Sequence, residues 1–501
     1  MMNEPLISHH GPQPPPSVSS SLLVSLYAGH FLARWGARMW EFSVGLYMIS
    51  IWPDSLLLTA AYGVVESAST VLFGTVVGQW VDRLTNIKVL QVWLLSQNLS
   101  FVIAGGSVIA LLAYKDMMSE NFLSFIALIL LTNISGAVGV LSTLAGTILV
   151  EREWVVVISD GQPPGVLSKM NATIRRIDLI CKLVAPVVSG FIVSFASLTA
   201  SAATLALWNV VSVFLQYWLL MSVYNGIPAL SERNERRVLK YTHKDMESSY
   251  STAGNKRSSD LEENDLAQSN DGCWRKLIGR VARLPYISAW KVYLKQDVVL
   301  AGVSLALLYF TVLSFGSLMT AALQWEGIPA YIIGIARGIS ATIGVAATFL
   351  YPVLESQIST VRTGLWSTWS QWFFLLLCVA SIWIPNKHAA AYALMSGVAL
   401  SRIGLWMFDL SVIQQMQDRV SESDRLVVGG AQNSLQSVLD LATYVSGLII
   451  SDPQDFWMLI ILSMLLVTVA SILYSVHVFR VRKHLIHFEK LYPLIQKFPR
   501  A

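Results

Sequence analysis

The chain has 501 residues, of which 54% are hydrophobic and 13% are charged, and its formal net charge is +4. Water-soluble chains usually carry about 25% charged residues, so a soluble protein of this composition would expose large, aggregation-prone apolar patches. The composition excludes an ordinary soluble protein and favours one whose outer surface faces lipid. Three cysteines without paired spacing also exclude a disulfide framework and a zinc finger.

The first predicted element is a tail over residues 1–20. It contains no Lys or Arg, so the positive start of a secretory signal is missing. Its proline-rich run at 11–16 favours disorder. We predict a disordered cytosolic tail and no cleavable signal peptide.

Twelve apolar segments follow, each long enough to cross about 30 Å of hydrocarbon as a helix. Short connections rich in turn-forming residues separate them. The predicted spans are 22–48, 55–80, 89–113, 122–149, 172–195, 199–223, 298–322, 329–353, 364–384, 389–414, 427–450 and 455–479. The sequence therefore predicts a first half over 21–224 and a second half over 297–480, each with six helices.

Two polar segments set the predicted orientation. The central loop, 225–296, holds 13 Lys and Arg against 9 Asp and Glu, and the tail 481–501 is also basic. The loops on the opposite side hold only Lys115 and Lys387. The positive-inside rule therefore places the central loop and both tails in the cytosol. We interpret the basic runs as solvated loops and lipid-headgroup contacts, with much of the central loop disordered and no nucleic-acid partner.

The two halves repeat each other weakly. Asn171 is followed seven residues later by Asp178, and Asn433 is followed seven residues later by Asp440. A second echo pairs Gln97 in the third span with Gln371 in the ninth. Two such echoes favour a duplicated six-helix unit, as in many transporters. The predicted fold is an all-α membrane protein with the major facilitator fold and about twelve transmembrane helices in two six-helix halves.

Ionisable side chains occur inside several predicted spans. Placing them in the membrane costs several kcal/mol of free energy unless they pair or line a cavity. His30, Arg34, Arg38 and Glu41 lie on one side of the first span. Either Arg38 and Glu41 only neutralise each other within the helix, or this face lines a cavity. Further polar side chains are Glu66, Arg175, Arg176, Asp178, Lys182, Asn209, Gln216, Arg402, Asp409, Gln432, Asn433 and Asp440. As a set they favour a polar path between the halves, although each alone also fits a packing contact.

The loop after the second span has a more specific pattern. Gly78, Asp82-Arg83 and a terminal Lys88 follow the order found in major facilitators. There the Asp pairs with a neighbouring helix in one conformation and releases it in the other, which makes a bistable switch. The alternative is an ordinary cytosolic turn. We predict a cytosolic gate whose members are Asp82, Arg83, Glu153, Arg175 and Asp178.

Several of these segments resemble the ferroportin family of ferrous-iron exporters (solute carrier family 40), and in detail its plant members. The clearest are Ala33-Arg34-Trp35-Gly36-Ala37-Arg38-Met39-Trp40-Glu41, Met170-Asn171-Ala172-Thr173-Ile174-Arg175-Arg176-Ile177-Asp178 and Arg402-Ile403-Gly404-Leu405-Trp406-Met407-Phe408-Asp409. The resemblance covers about residues 20–480. It implies a transporter that exports divalent metal from the cytosol by alternating access.

This chain departs from the metal ligands that the resemblance implies for animal members. Their first-span Asp and His correspond to Ala37 and Glu41, their seventh-span Asp-Cys pair to Gly316-Ser317, and their eleventh-span His to Thr443. In the animal members the hormone hepcidin binds that Cys. Because Ser317 replaces it here, a hepcidin-type partner is not expected. Glu41 is the one anionic ligand left at these positions, and His30 is a further candidate ligand. Iron, cobalt and nickel are all candidate substrates.

The predicted function is export of ferrous iron or a similar divalent metal (cobalt, nickel) across a plasma or vacuolar membrane, without a cofactor. No Gly-rich phosphate loop for ATP is present, and no His-Glu-x-x-His motif supports a membrane enzyme. The predicted substrate pathway comprises Arg38, Glu41, Gln97, Asn209, Ser317, Asp440 and Thr443. An alternative cargo is a metal chelate or a small organic anion, because guanidinium groups such as Arg34 and Arg38 suit carboxylates.

Overall fold

The computed structural model describes most of the chain between the two predicted tails. The described residues are 19–114, 117–160, 162, 166–232, 285–421 and 424–482. Within these ranges the regular secondary structure is helical throughout. The predicted tails and most of the predicted central loop lie outside the described residues.

Six long helices form the first half. They are α1 (Ser20–Ile51), α2 (Leu57–Arg83), α3 (Asn86–Ala113), α4 (Phe122–Thr147), α5 (Val166–Phe195) and α6 (Leu198–Gly226). The chain continues from α4 through a π-helical segment, Ile148–Trp154, and a short helix, Val155–Ser159, so this element runs beyond the predicted end of its span. Helix α6 begins where the Ser197 hydroxyl accepts a hydrogen bond from the Ala200 backbone N–H at 2.9 Å.

Eight α-helices lie in the described chain from residue 285 to residue 482. They are α7 (Pro285–Leu294), α8 (Val299–Leu307), α9 (Ser317–Trp325), α10 (Ala330–Ile358), α11 (Thr360–Ala380), α12 (Lys387–Arg419), α13 (Arg425–Ile449) and α14 (Phe456–Arg482). Helix α7 lies inside the predicted central loop. It docks on α13, because the Tyr293 hydroxyl donates to Gln432 Oε1 at 2.7 Å.

The seventh span is broken, whereas the sequence predicts one continuous helix over 298–322. Helix α8 ends at Leu307 and α9 begins at Ser317. Other helices supply partners for the freed backbone groups. Ser463 Oγ accepts from the Val312 N–H at 3.0 Å, Thr443 Oγ1 donates to the Tyr309 carbonyl at 3.1 Å, and Arg402 Nη2 donates to the Leu313 carbonyl at 3.1 Å. Unsatisfied backbone groups in hydrocarbon cost several kcal/mol each, so these partners are what permit the break.

Nine helical segments of the described chain are long and apolar enough to cross a membrane. Of the predicted spans, α1, α13 and the interrupted α8–α9 segment do not meet that criterion of length and hydropathy. Those three elements carry Glu41, Asp440 and Thr443, and the unwound backbone. Helices α8 and α9 fall short because each is only nine residues long.

Large apolar side chains cover the outside of the helices. Among the exposed ones are Leu72, Phe214, Trp218, Phe349 and Leu465. Patches of this kind on a soluble monomer are normally small. Their distribution around the bundle fits a multi-pass membrane protein whose outer surface meets lipid.

The two halves contact each other at the end of the helices remote from Ser20 and Arg482. The Leu56 N–H donates to the Ser451 carbonyl at 2.6 Å, and the Tyr331 N–H donates to Ser194 Oγ at 3.0 Å. Contacts of α1 with α9, α2 with α13 and α5 with α10 join the halves. Toward the end that carries Ser20 and Arg482, the space bordered by the partly exposed Glu41, by Arg175 of the first half and by Asp409 of the second half is called the central crevice.

Candidate substrate pathway

Glu41 of α1 lies at the floor of the central crevice. Its side chain is 39% exposed although it sits well inside the span. Glu41 Oε2 accepts from Arg38 Nη1, one turn earlier on the same helix, at 2.6 Å. Glu41 Oε1 accepts from Arg337 Nη2 of α10, in the other half. The intrahelical Arg38–Glu41 pair therefore forms, but the same carboxylate also faces the crevice and joins the two halves.

Asp178 of α5 binds two cations of α1. Its Oδ1 accepts from Arg34 Nε at 2.8 Å and from Arg38 Nη2 at 2.9 Å. The Asp178 side chain is 7% exposed, so this is a largely buried ion pair within the first half. The structure thus places Asp178, which the sequence assigns to the gate, in the network that also holds Glu41.

Lys182 lies one turn beyond Asp178 on α5. Its ammonium stands 5.9 Å from the centre of the Trp406 ring, across the interface between the halves. It is close enough to interact electrostatically with Glu41 and Asp178. The network therefore contains four cations (Arg34, Arg38, Lys182 and Arg337) and two carboxylates. Both oxygens of Glu41 already accept a guanidinium hydrogen bond, so a cation at Glu41 would lie beside Arg38 and Arg337.

Asp440 and Glu66 bring further carboxyl groups to the interface of the halves. Asp440 Oδ2 of α13 accepts from Ser67 Oγ of α2 at 2.9 Å. Glu66 precedes Ser67 on α2, and both Glu66 and Asp440 are within electrostatic range of Glu41. Carboxyl groups from α1, α2 and α13 thus converge on the inner end of the crevice.

Ser317 and Thr443 lie at the broken seventh span. Thr443 Oγ1 donates to the Tyr309 carbonyl, as described above, and Ser317 begins α9. A Cβ added to Gly45 of α1 would lie 2.7 Å from the Ser317 carbonyl oxygen, so α1 and α9 touch through their backbones here. Discontinuous helices of this kind commonly form substrate sites near the membrane midplane.

Gln97 and Asn209 are buried beside α1 instead of being exposed to the crevice. Gln97 Oε1 accepts from Trp93 Nε1 at 2.6 Å, and Gln97 Nε2 donates to the Ala33 carbonyl at 3.4 Å. Asn209 Nδ2 donates to the Leu205 carbonyl at 2.8 Å. In this conformation both side chains support α1, and their role in the pathway stays a prediction.

The predicted gate residues lie at the end of α2, in the π-helical segment after α4 and in the first half of α5. Arg83 is the last residue of α2, while the side chain of Asp82 is outside the described part of the chain. Glu153 is buried in the π-helical segment. Arg175 is exposed and is near enough to Asp409 of α12 for an electrostatic interaction across the crevice.

His30 is buried and lies far from Glu41. Its Nε2 stands 3.9 Å from Glu151 Oε1. Eleven residues separate His30 from Glu41 on α1, which corresponds to about 16 Å along a helix. The two predicted metal ligands therefore cannot bind one ion together. Among the described residues, no three His, Cys, Asp or Glu side chains are placed to hold a metal ion.

Arg337 belongs to the network although the sequence pattern did not indicate it. It lies within the predicted span 329–353, and in the structure it is 5% exposed and bonded to Glu41. Arg337 has no helical pattern of charged neighbours around it, which is why periodicity did not single it out. Its presence in an otherwise apolar span was the available signal, since intramembrane charges are rare and usually paired.

A cavity of about 400 Å³ opens on the crevice side of the second half. Its polar lining residues are Tyr309, Asp409, Gln417, Gln432, Asn433 and Gln436. Carboxylate and amide oxygens favour hard divalent cations over soft ones. Asp409, which lines this cavity, is within electrostatic range of Arg175 of the first half.

Comparison with solved structures identifies the fold. A bacterial homologue of the iron transporter ferroportin in the inward-facing state has a TM-score of 0.72 at 22% identity, covering 91% of this chain and 98% of that chain. The outward-facing state of a bacterial homologue has a TM-score of 0.57 at 21% identity, covering 91% and 99%. The prediction of an all-α membrane protein with the major facilitator fold is confirmed.

Comparison of sequences identifies the family. The family model Ferroportin1 (FPN1) matches residues 20–467. Solute carrier family 40 member 2 of Arabidopsis thaliana is 57% identical over 485 residues, which cover 96% of this chain and 94% of that protein. The resemblance seen in the sequence is therefore confirmed, and the chain belongs to the ferroportin family.

Proposed function

We propose that this protein exports ferrous iron or a similar divalent transition metal, cobalt or nickel, from the cytosol by alternating access. As a member of the ferroportin family it is a transporter of metal ions and not an enzyme. The relatives' names support iron among these metals. The observation that carries the proposal is the Glu41 carboxylate, exposed at the crevice floor and bonded to cations from both halves.

The proposed cycle starts from the conformation described above. Under the positive-inside rule, the central crevice opens to the cytosol and the contacts between the halves close the outer side. A divalent cation reaches Glu41 and competes with Arg337 for its carboxylate. Loss of that interhalf ion pair frees α10 from α1, so the outer contacts can separate and release the ion outside.

Charge balance assigns roles to the other carboxyl groups. The network around Glu41 already has two more cations than anions among Arg34, Arg38, Lys182, Arg337, Glu41 and Asp178. Glu66 and Asp440 add carboxyl oxygens within reach of an ion bound at Glu41. Ser317, Thr443 and the carbonyls of the broken span add oxygen ligands. Asp82, Arg83, Glu153 and Arg175 form the cytosolic gate that closes when the outer side opens.

The second candidate cargo is a metal chelate or a small organic anion. The excess of guanidinium and ammonium groups in the network favours it, because such groups bind carboxylates well. A chelate would bring its own negative charge to the crevice. Citrate added with the metal separates the two cargoes: it slows flux of the free ion and speeds flux of a chelate.

The test is flux of iron(II), cobalt(II) and nickel(II) in liposomes that contain the purified protein, with and without a pH gradient. We expect flux of at least one metal and its loss in Glu41→Gln, which removes the negative charge and keeps the shape. Unchanged flux of every metal in Glu41→Gln contradicts the proposed role of Glu41. A fluorescent fusion then assigns the plasma or the vacuolar membrane, and added hepcidin is expected to have no effect.

A further inference from the structure

A second cavity, of about 540 Å³, lies outside the central crevice, at the end of the second half that carries Arg482. The connection between α7 and α8, the end of α12 and the end of α14 form its walls. Polar side chains that line it are Gln296, Asp297, Arg419, His477 and Arg480. We call this cavity the basic pocket.

Positive charge dominates the basic pocket. Arg419 and Arg480 line it, and Arg482 interacts electrostatically with both Arg362 and Arg419. Asp297 is the one carboxylate among the described lining residues. Guanidinium groups gathered around one cavity repel each other, so an anion bound between them would stabilise the arrangement.

The wall of the basic pocket is held in place by buried hydrogen bonds. Gln415 Nε2 donates to the Tyr474 hydroxyl at 2.8 Å and to the Ser411 carbonyl at 3.0 Å. The amide oxygen of Gln415 therefore faces His477 Nε2, 3.1 Å away, and accepts its hydrogen. His477 is 1% exposed. Such supporting bonds keep a binding site in its productive geometry.

Exposed apolar side chains lie on the helices that form the basic pocket. Phe479 directly precedes Arg480 on α14 and is exposed, and Val476 lies one turn earlier and is also exposed. Leu294, at the end of α7, is exposed as well. A ligand that meets both these side chains and the guanidinium groups needs an anionic head and an apolar body.

We propose that the basic pocket binds the phosphate-bearing headgroup of an anionic membrane lipid, chiefly through Arg419 and Arg480. Arginine presents paired N–H donors that match phosphate oxygens. The pocket lies at the helix ends that the positive-inside rule places in the cytosolic leaflet, where anionic lipids concentrate. This site is separate from the substrate pathway and does not depend on the transported metal.

Native mass spectrometry of the purified protein tests the proposal. The probes are phosphatidylinositol 4-phosphate, phosphatidylcholine and inorganic phosphate, each added alone. We expect adducts with phosphatidylinositol 4-phosphate and not with phosphatidylcholine, and at least a tenfold smaller bound fraction in the double variant Arg419→Gln/Arg480→Gln. The double variant Arg419→Lys/Arg480→Lys keeps the charge and is expected to recover part of the binding.

Lys88→Gln is the matched control, because Lys88 is an exposed cation at the same end of the first half. Its binding is expected to equal that of the unchanged protein. Equal binding by the Arg419→Gln/Arg480→Gln variant, or an equal loss in Lys88→Gln, overturns the proposed site. If inorganic phosphate binds as tightly as the lipid and displaces it, the pocket serves a soluble phosphate and the lipid assignment is overturned.

Discussion

Glu41 of α1 and Arg337 of α10 form an ion pair that joins the two halves at the floor of the central crevice. The two partners differ in exposure, since the Glu41 side chain is 39% exposed and that of Arg337 is 6% exposed. Solvent therefore reaches the carboxylate and hardly reaches the guanidinium. The solvent-exposed carboxylate of Glu41 is therefore also one of the groups that join the two halves.

Arg337→Gln is expected to lower the KM for metal. Arg337 competes with the ion for the Glu41 carboxylate, and a hydrogen bond to a charged group contributes about 1.5–3 kcal/mol. Its removal therefore corresponds to roughly a tenfold fall in KM or more. The dependence of flux on metal concentration in liposomes measures it.

Two further variants control for the effect of charge on KM. Arg337→Lys keeps a cation near Glu41 and is expected to change KM less than Arg337→Gln does. Lys387→Gln removes an exposed cation that pairs with Glu326 at 3.8 Å, and its KM is expected to stay unchanged. An Arg337→Gln variant with unaltered KM rules out the competition.

Asp178→Asn is expected to destabilise the protein strongly. The substitution leaves Arg34 and Arg38 with a neutral partner in a largely buried position. Breaking a buried ion pair by removing one partner typically costs about 3–5 kcal/mol. Thermal unfolding in detergent measures the loss, with the exposed Asp418→Asn as the matched control. Equal midpoints of thermal unfolding for the two variants contradict the stabilising role of Asp178.

The positions of the spans were predictable because a helix must match the thickness of the hydrocarbon core. Helix α3 (Asn86–Ala113) and the predicted span 89–113, for example, end at the same residue. The break in the seventh span was not predictable in this way. It depends on Ser463 and Arg402, which are distant in sequence and satisfy backbone groups that local pattern alone would keep helical.

The candidate site was predictable where charges share a helix face and not where they meet across the interface. The three-residue spacing of Arg38 and Glu41 is enough to place both on one polar face of α1. Their outside partners, Asp178 and Arg337, come from two other helices, so spacing could not assign them. The predicted gate stays a prediction, because the side chain of Asp82 lies outside the described residues.

Gly190→Ala is expected to disfavour the conformation in which the outer side is closed. A Cβ at Gly190 would lie 2.6 Å from the Ala330 carbonyl oxygen, and backbone there cannot move aside without parting α5 from α10. Spin labels at the outer ends of α5 and α10 are expected to show a larger fraction of long distances. Gly106→Ala is the control, since a Cβ at Gly106 would meet nothing within 4 Å. Identical distance distributions for the two variants contradict the role of this contact.

His30→Gln and Glu41→Gln are expected to act independently on metal binding. The two side chains are about 16 Å apart along α1, and substitutions more than about 7–10 Å apart usually add within about 0.5 kcal/mol. We therefore expect His30→Gln to change the Kd for metal by the same factor in the unchanged protein and in the Glu41→Gln background. Calorimetric titration of the four purified proteins with cobalt(II) gives the four corners of the double-mutant cycle. A coupling free energy well above about 0.5 kcal/mol means that one ion, or one rearrangement of α1, involves both side chains. That result contradicts the conclusion that His30 and Glu41 cannot bind the same ion.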